Sequence, residues 1–321
     1  MSTKSLRTAY GEALVALGKD NKNVVVLEAD LGKSTMSILF QNAYPERYFE
    51  MGIAEQNMTS TAAGLALTGK IPFISSFAVF ASGRAYDQLR QTISIAKLNV
   101  KVCGSSSGLS DFGDGSTHQS VEDVAIMRAI PNMTVLVPVD AVETSKMVKA
   151  AAAWPGPVYM RVNRADLPIY TSEAGDYKIG KLYTMKEGKD AVVFANGIMV
   201  SMALEAAKTL EEQGISVKVV NVSTVKPLDR QAVIDCVKGF KGVVTAEEHT
   251  VIGGLGSAIA EALRRETNQP LEFVGIQDSF GTSAYNYEEL LRRYGLTAEA
   301  IVNSVKQVLK TGAMSVAGAR G

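Results

Sequence analysis

The feature that most constrains the fold is a regular alternation of short β-branched runs with longer amphipathic stretches along almost the whole chain. The runs predict strands at residues 24–27, 71–74, 100–102, 134–137, 158–160, 191–194, 217–220, 243–245 and 271–274. The stretches between them predict helices at residues 5–17, 55–67, 83–97, 141–153, 199–213 and 256–266. Strands that alternate with helices at this spacing form mostly parallel sheets with helices on their faces. The sequence therefore predicts an α/β fold.

The alternation is interrupted once, by a polar, glycine-containing stretch in the middle of the chain. A chain of 321 residues has the length of two domains of about 150 residues each. We predict a first α/β domain over residues 1–165, a linker over 166–188 and a second α/β domain over 189–310. Each domain is expected to be a mostly parallel sheet flanked by helices. The small, Gly- and Ala-rich residues 311–321 are predicted to form a flexible tail.

Composition excludes several classes of function. The 33 basic and 33 acidic residues balance, and no basic run suggests binding to nucleic acid or to a membrane surface. The N-terminus lacks the apolar core of a signal peptide, and no apolar stretch of about 18 residues could cross a membrane, so we expect a cytoplasmic protein. With only two histidines and two well-separated cysteines, neither a multi-histidine metal site nor a disulfide framework is predicted.

Two segments of the first half could carry chemistry. Glu55 opens a helix rich in small and apolar residues. A capping role is the commoner explanation, and the alternative is a carboxyl group in an apolar site, where desolvation favours the protonated form. Phe77 and Phe80 follow a predicted strand, at the edge where open α/β sheets bind ligands. They are either core residues or a platform for a flat heterocycle.

Two glycine-rich loops are the other candidates. The loop over residues 108–119 contains His118, which is either a surface histidine or a proton carrier in a backbone-lined pocket. The loop over residues 253–257 could hold a phosphate, but it lacks the G-x-G-x-x-G spacing, so tight helix packing is the alternative. Gly-Asp-Gly at 113–115 begins like a magnesium–diphosphate signature, yet Asn132 follows too early and precedes a strand.

Taken together, these segments resemble the C-terminal half of transketolases. The shared motifs are Gly-Ile-Ala-Glu-Gln-Asn-Met, Ser-Phe-Ala-Val-Phe, Asp-Gly-Ser-Thr-His-Gln and Glu-Glu-His-Thr-Val-Ile-Gly-Gly-Leu-Gly-Ser, at residues 52–58, 76–80, 114–119 and 247–257. They occur in the family's order over nearly the whole chain. The resemblance implies a pyrimidine-binding domain, a transketolase C-terminal domain and chemistry based on thiamine diphosphate.

The resemblance also implies roles for the residues around that cofactor. Glu55 matches the acid that bonds N1′ of the aminopyrimidine and so favours its 4′-imino form. Phe80 matches the aromatic residue that stacks on the pyrimidine, with Phe77 beside it. His118 matches a histidine near the 4′-amino group and the substrate carbonyl, where it could move a proton. Asp30 falls at a position that borders the cofactor.

Residues that bind the sugar substrate have candidates as well. Arg7, Ser34 and Arg161 fall where transketolases hold the terminal phosphate, and arginines bind phosphates through charge-assisted hydrogen bonds. Asp114 and His118 fall where the family contacts the substrate's polar groups.

Two positions depart from the family pattern. Ser106 replaces a phosphate-contacting histidine, and Gly83 replaces a third aromatic residue. The loss of that histidine makes a modified acceptor, such as a sugar with a different charge or fewer oxygens, more plausible than an ordinary pentose phosphate.

The resemblance further implies a partner, because the family's Mg²⁺ and diphosphate ligands belong to its N-terminal half. We expect an N-terminal-half subunit with a Gly-Asp-Gly…Asn signature in an α₂β₂ assembly that moves a two-carbon ketol unit between sugar phosphates. The β subunit of a 2-oxo-acid dehydrogenase, or a relative of deoxyxylulose-phosphate synthase, is the alternative enzyme. An inactive scaffold subunit is the alternative that is not an enzyme. The role of His249 is left open.

Overall fold

The structure is a computed structural model that describes residues 2–318. Its strands are β1 (Thr3–Ser5), β2 (Val24–Glu28), β3 (Tyr48–Glu50), β4 (Ile71–Phe77), β5 (Lys101–Ser105), β6 (Thr134–Leu136), β7 (Val158–Arg161), β8 (Asp166–Pro168), β9 (Tyr183–Lys186), β10 (Ala191–Ala195), β11 (Val217–Asn221), β12 (Thr224–Lys226), β13 (Gly242–Thr250) and β14 (Leu271–Ile276). Its α-helices are α1 (Leu6–Asp20), α2 (Gly32–Thr35), α3 (Ile38–Ala43), α4 (Glu55–Leu67), α5 (Tyr86–Gln88), α6 (Asp123–Ala129), α7 (Ala141–Ala153), α8 (Met199–Glu211), α9 (Arg230–Val237), α10 (Leu255–Leu263), α11 (Tyr287–Arg293) and α12 (Ala298–Gly318). Short 3₁₀ turns lie at Pro45–Arg47 and Gly115–Thr117, and π-helical turns at Phe80–Arg84 and Leu89–Ser94.

The first domain is built on a seven-stranded sheet with the order β12-β6-β7-β5-β4-β2-β3. All neighbouring strands in it are parallel except β12 and β6. Strand β2 is buried along its whole length, as a parallel strand covered on both faces must be. Val24 and Val26 pack in the same core as α1 and α7, whereas Val25 and Leu27 pack with α4 on the opposite face.

The second domain is built on a five-stranded sheet with the order β14-β13-β10-β11-β9, in which only β9 is antiparallel. Val193 faces the core that contains α8 and α12, and Val192 faces the core that contains α9 and α10. The two domains therefore share one layered architecture, and the predicted α/β class is confirmed.

The region between the domains is more ordered than a plain linker. Strand β8 pairs with β1, and β9 forms the edge of the second sheet, although both lie within residues 166–188. Strand β12, from the second half of the chain, joins the edge of the first sheet, where Thr224 is opposite Leu136. The pairing of β12 with β6 ties the two domains together through backbone hydrogen bonds.

Two further elements differ from the sequence predictions. The predicted helix 83–97 is interrupted by π-helical turns on both sides of α5. Helix α12 continues through residues 311–318, which were predicted to belong to a flexible tail, and residues 319–321 lie outside the described part of the chain. No helix within residues 2–318 is long and apolar enough to cross a membrane.

Strand register places the candidate residues at one edge of the first sheet. Glu28 is opposite Ser75, and Ser76 is opposite Gly104, so β2, β4 and β5 end side by side. The carboxyl ends of parallel strands form the usual ligand-binding edge of such sheets. The segments that follow these three strands contain most of the candidate functional residues.

Candidate functional site

Helix α4 presents Glu55 at its first position. Several helices begin with a polar capping side chain, such as Asp140, which accepts a hydrogen bond from the Glu143 amide at 2.8 Å. The residue before α4 is Ala54, which provides no such cap. Glu55 therefore starts the helix beside uncapped backbone amides, and only 1% of its surface is exposed.

The Glu55 carboxylate has a cationic partner that the sequence analysis missed. Nη1 of Arg84 donates to both of its oxygens, at 2.8 and 2.9 Å. The Arg84 side chain is 45% exposed, so it covers the buried carboxylate from the solvent side. Arg84 lies four residues after Phe80, a spacing that puts two side chains on one face of a helical turn, and this was the available signal.

The rings of Phe77 and Phe80 form a platform beside this ion pair, and His118 lies edge-on to it. Phe77 and Phe80 are nearly parallel, with centroids 6.2 Å apart and an interplanar angle of 12°. His118 lies edge-on to Phe80, with the ring centroids 5.3 Å apart. The Arg84 guanidinium carbon lies 4.4 Å from the centre of the Phe80 ring, within cation–π distance. The structure thus brings together Glu55, both phenylalanines and His118.

The loop that carries His118 is held against the second domain. Gly115 has a φ of +76°, and a Cβ there would lie 2.5 Å from Oγ of Ser283, so this turn requires glycine. The Gln119 side-chain amide donates to the backbone oxygens of Asp111 and Thr282, at 3.1 and 3.0 Å. The second domain therefore fixes the position of His118 over the ring platform.

A group of charged residues lies next to His118. Nη1 of Arg7 donates to the backbone oxygen of Ser34 at 2.6 Å, and Nη1 of Arg164 lies 2.9 Å from Oδ1 of Asp111. Burial lowers the pKa of Arg7, and the positive charge of Arg164 lowers it further, so the two guanidinium groups are close to each other. Neighbouring arginines are a combination that can bind an anion through charge-assisted hydrogen bonds.

Arg161, which was predicted to bind the terminal phosphate, has a different environment. Its guanidinium is buried; Nε donates to both oxygens of Asp123 at 3.0 Å, and Nη2 donates to the backbone oxygens of Ser120 and Glu248. Arg161 therefore joins the two domains, and the arginine that stands beside Arg7 is Arg164. The sequence did contain a signal for Arg164: β7 ends at Arg161, and residues just beyond the end of a parallel strand reach the ligand-binding edge of the sheet.

The remaining predicted residues lie around the same edge. Asp30 has a left-handed backbone, with φ of +61°, and its amide donates to Oε1 of Glu50 at 2.8 Å. Asp114 is exposed and directly precedes the 3₁₀ turn before His118. Ser106 is buried with φ of +51°, and a Cβ built at Gly83 would meet no atom within 4 Å, which leaves open space near the ring platform.

The second glycine-rich loop has a structural role. The Glu247 carboxylate accepts hydrogen bonds from the amides of Leu255 and Gly256, at 2.7 and 2.8 Å, so the start of α10 already has an anionic partner. A Cβ at Gly254 would lie 2.1 Å from a Glu247 oxygen. His249 is buried between the domains; its Nε2 accepts from the Ala125 amide, so Nδ1 donates to the Thr250 oxygen at 2.7 Å.

Comparison with protein families gives two matches that together span most of the chain. The transketolase pyrimidine-binding domain matches residues 2–169, and the transketolase C-terminal domain matches residues 180–301. The chain belongs to the transketolase family.

Individual relatives are similar over nearly their whole length. A Methanocaldococcus jannaschii protein that carries the provisional name transketolase C-terminal section is 44% identical over 310 residues, which are 96% of this chain and 97% of that protein. The 6-deoxy-6-sulfo-D-fructose transketolase subunit SqwH of a Clostridium species is 43% identical over 94% of both chains. A solved structure described as a split gene transketolase, inactive beta4 tetramer, is 47% identical, with a TM-score of 0.88 over 96% of this chain and 99% of that one.

Proposed function

We propose that this chain is the subunit of a split transketolase that holds the ring end of thiamine diphosphate, and that the enzyme transfers a two-carbon ketol unit between sugars with anionic ends. The observation that carries the proposal is the juxtaposition of a buried carboxylate, Glu55, with the face of an aromatic ring, Phe80. Family membership supports the class of reaction. When bound with Mg²⁺, thiamine diphosphate supplies the nucleophilic carbon that such a transfer requires.

The shape of the ring site fits an aminopyrimidine. Arg84 already places a flat, nitrogen-rich group against the Phe80 ring and within hydrogen-bond distance of the Glu55 carboxyl group. An aminopyrimidine is also flat and presents a ring nitrogen at its edge, so it can make the same two kinds of contact. It follows that Arg84 and the cofactor ring compete for one place.

The chain's own residues would then have distinct tasks. Glu55 holds a proton at N1′, and Phe77 and Phe80 orient the ring by stacking. His118 would hold or move a proton at the substrate carbonyl, and its position edge-on to that platform supports this role. Asp30, two residues after the end of β2, would border the cofactor.

The sugar's anionic end is assigned to the neighbouring charged group. Arg7 and Arg164 supply the positive charge, while Ser34 and Asp114 supply polar contacts near them. Asp111 connects this group to the ring platform, since Asp111 is within electrostatic range of both Arg164 and His118.

We propose a partner that carries the Mg²⁺ and diphosphate ligands, in a heterotetramer located in the cytoplasm. The solved relative supports partner dependence, because its tetramer of β chains alone is described as inactive. Large apolar side chains near Glu55 and on the two segments that follow are open to such a partner: Ile53 is 76% exposed, Leu67 75% and Ile95 62%.

Two alternatives remain distinguishable by experiment. A 2-oxo-acid dehydrogenase or a deoxyxylulose-phosphate synthase would release CO₂ from pyruvate, which ketol transfer does not. An inactive scaffold subunit would still stabilise its partner without Glu55. The paired arginines favour transfer between sugars with anionic ends.

The test is Glu55→Gln in the complex purified from its native host. We expect the variant to assemble with its partner and to lose ketol transfer by at least about a hundredfold, the usual scale for a proton-transfer group. Glu187→Gln is the matched control, because that side chain is 78% exposed at the edge of the second sheet. Full activity of the Glu55 variant would contradict the proposal and favour a scaffold.

A further inference from the structure

The charged group beside His118 contains a buried acid whose bonding is incomplete. Asp111 is 3% exposed; Oδ1 pairs with Arg164, while Oδ2 makes no hydrogen bond within the described residues. A buried carboxylate oxygen without a partner costs free energy. It is tolerated where a ligand supplies the missing hydrogen-bond donor, so Asp111 has the character of a binding residue.

Unpaired polar atoms continue along the loop that leads to Asp111. The hydroxyl groups of Ser106 and Ser107 are buried and have no hydrogen-bond partner within the described residues, and Nε of Arg7 also has none. The loop folds back on the segment after β7, since the Arg164 amide donates to Oγ of Ser110 at 3.1 Å. The contacts of Arg164 with Ser110 and Asp111 thus hold the loop that carries these unpaired groups against the segment after β7.

The charges of this region limit which anion it can hold. Arg7 lies within the electrostatic influence of Arg164, Asp111 and Asp166, and Asp111 lies within that of Arg164, Asp114 and His118. The ion pair with Asp111 largely neutralises Arg164. Arg7 remains as the one cation of this group, within the described residues, that has no direct carboxylate partner.

The charge of the substrate's end group therefore matters. A phosphate monoester carries about −1.5 to −2 at neutral pH, with a second pKa near 6. A sulfonate carries a single charge at every physiological pH. Two arginines and the Asp111 carboxylate leave one net positive charge in this group, which matches a single negative charge, whereas a dianion would meet stronger repulsion from Asp111.

We propose that Asp111 is a specificity-determining residue that makes this subsite select a sugar with a singly charged end, of the sulfonate class, over a sugar phosphate. The inference rests on the proposed ketol transfer and adds the class of substrate. The hydroxyl groups of Ser106 and Ser107 would donate to the sulfonate oxygens, and a sugar hydroxyl would donate to Oδ2 of Asp111.

The experiment compares two ketose donors that differ only in a terminal sulfonate or phosphate, using the native complex and one acceptor aldehyde. We expect kcat/KM to favour the sulfonate by about tenfold or more, mainly through KM, because the unfavourable charge acts on binding. Asp111→Asn should reduce that ratio by at least about tenfold. Asp235→Asn, an exposed acid on α9, is the matched control and should leave the ratio unchanged.

A pH series on the wild-type complex keeps the test independent of whether the variant folds. The preference for sulfonate should shrink as pH falls towards about 6, since the phosphate then loses its second charge. A preference for phosphate, or a ratio unaffected by pH and by Asp111→Asn, would overturn the inference while leaving ketol transfer intact. No transfer with either donor would overturn the proposed function itself.

Discussion

Arg84 occupies the place proposed for the cofactor ring. Its replacement should therefore change the stability of the chain and its affinity for the cofactor in opposite directions. Replacement by methionine keeps most of the side chain's length and removes its charge. The Arg84→Met chain loses the ion pair with Glu55 and the contact with the Phe80 ring. It should therefore be less stable alone, yet bind thiamine diphosphate more tightly in the complex.

The size of both effects follows from the two contacts. The Arg84 side chain is 45% exposed, so its ion pair is worth about 0.5–1 kcal/mol after solvent screening. A cation over an exposed aromatic ring is worth about 0.5–1 kcal/mol more. The sum, about 1–2 kcal/mol, corresponds to roughly 5- to 30-fold tighter cofactor binding, since about 1.4 kcal/mol is a factor of ten.

Two measurements check this prediction. Urea unfolding of the isolated chain gives the loss of stability, and calorimetric titration of the cofactor-free complex with thiamine diphosphate and Mg²⁺ gives the affinity. Arg90→Met is the matched control, because that arginine is exposed on the neighbouring π-helical turn. A folded Arg84→Met complex that binds the cofactor more weakly would refute the competition and assign Arg84 a role in holding the ring.

The remaining predictions concern buried charges. Arg161→Met should lower the free energy of unfolding by about 3–5 kcal/mol, because Asp123 would stay buried without its partner. The same change at Arg164 should cost less, because that side chain is 39% exposed and its removal lets water reach the Asp111 carboxylate; urea unfolding that shows equal losses would contradict the distinct roles given to these arginines. Burial raises the pKa of Glu143 from 4.5 to about 7, so between these pH values the folded state keeps a proton on Glu143 that the unfolded state releases. The contribution of this proton to the free energy of unfolding is therefore complete below the unfolded pKa and is lost as the pH rises through about 7. Glu143→Gln should flatten the fall in unfolding free energy between about pH 5 and 7, and Glu187→Gln should not; an unchanged slope in the first variant would show that Glu143 titrates normally.

The α/β class was predictable because parallel strands buried on both faces leave long apolar runs, such as Val24–Leu27, in the sequence. What could not be predicted depends on distant pairing. Strand β12 has only three residues and joins the first sheet through contact with β6, about ninety positions earlier in the chain. Strand β8 is likewise defined by its pairing with β1. Short segments of this kind carry too little periodicity to be assigned alone.

The residues of the candidate site also fall into those that local sequence motifs predicted and those that only tertiary contacts identified. Glu55, Phe77, Phe80 and His118 belong to contiguous motifs, and the structure places them together. The spacing of Arg84 from Phe80 could have pointed to this residue, but its ion pair with Glu55 became visible only in the structure.

Arg164 and Asp111 were missed for the same reason. Arg164 lies just beyond a strand end, but its ion pair with Asp111 joins two loops that are distant in the sequence, and no local pattern shows that pairing. The error at Arg161 arose because position along a strand does not reveal which side chain is enclosed by acids.

The central claim is that this chain forms the ring half of a cofactor site completed by a second polypeptide. The most direct measurement is gentle purification of the chain from its native host, with mass spectrometry of the partner and quantification of bound thiamine diphosphate. We predict a stoichiometric partner with a Gly-Asp-Gly…Asn signature and one cofactor for each pair of chains. Recovery of the chain alone, binding thiamine diphosphate and Mg²⁺ without a partner or binding nothing at all, would contradict the claim.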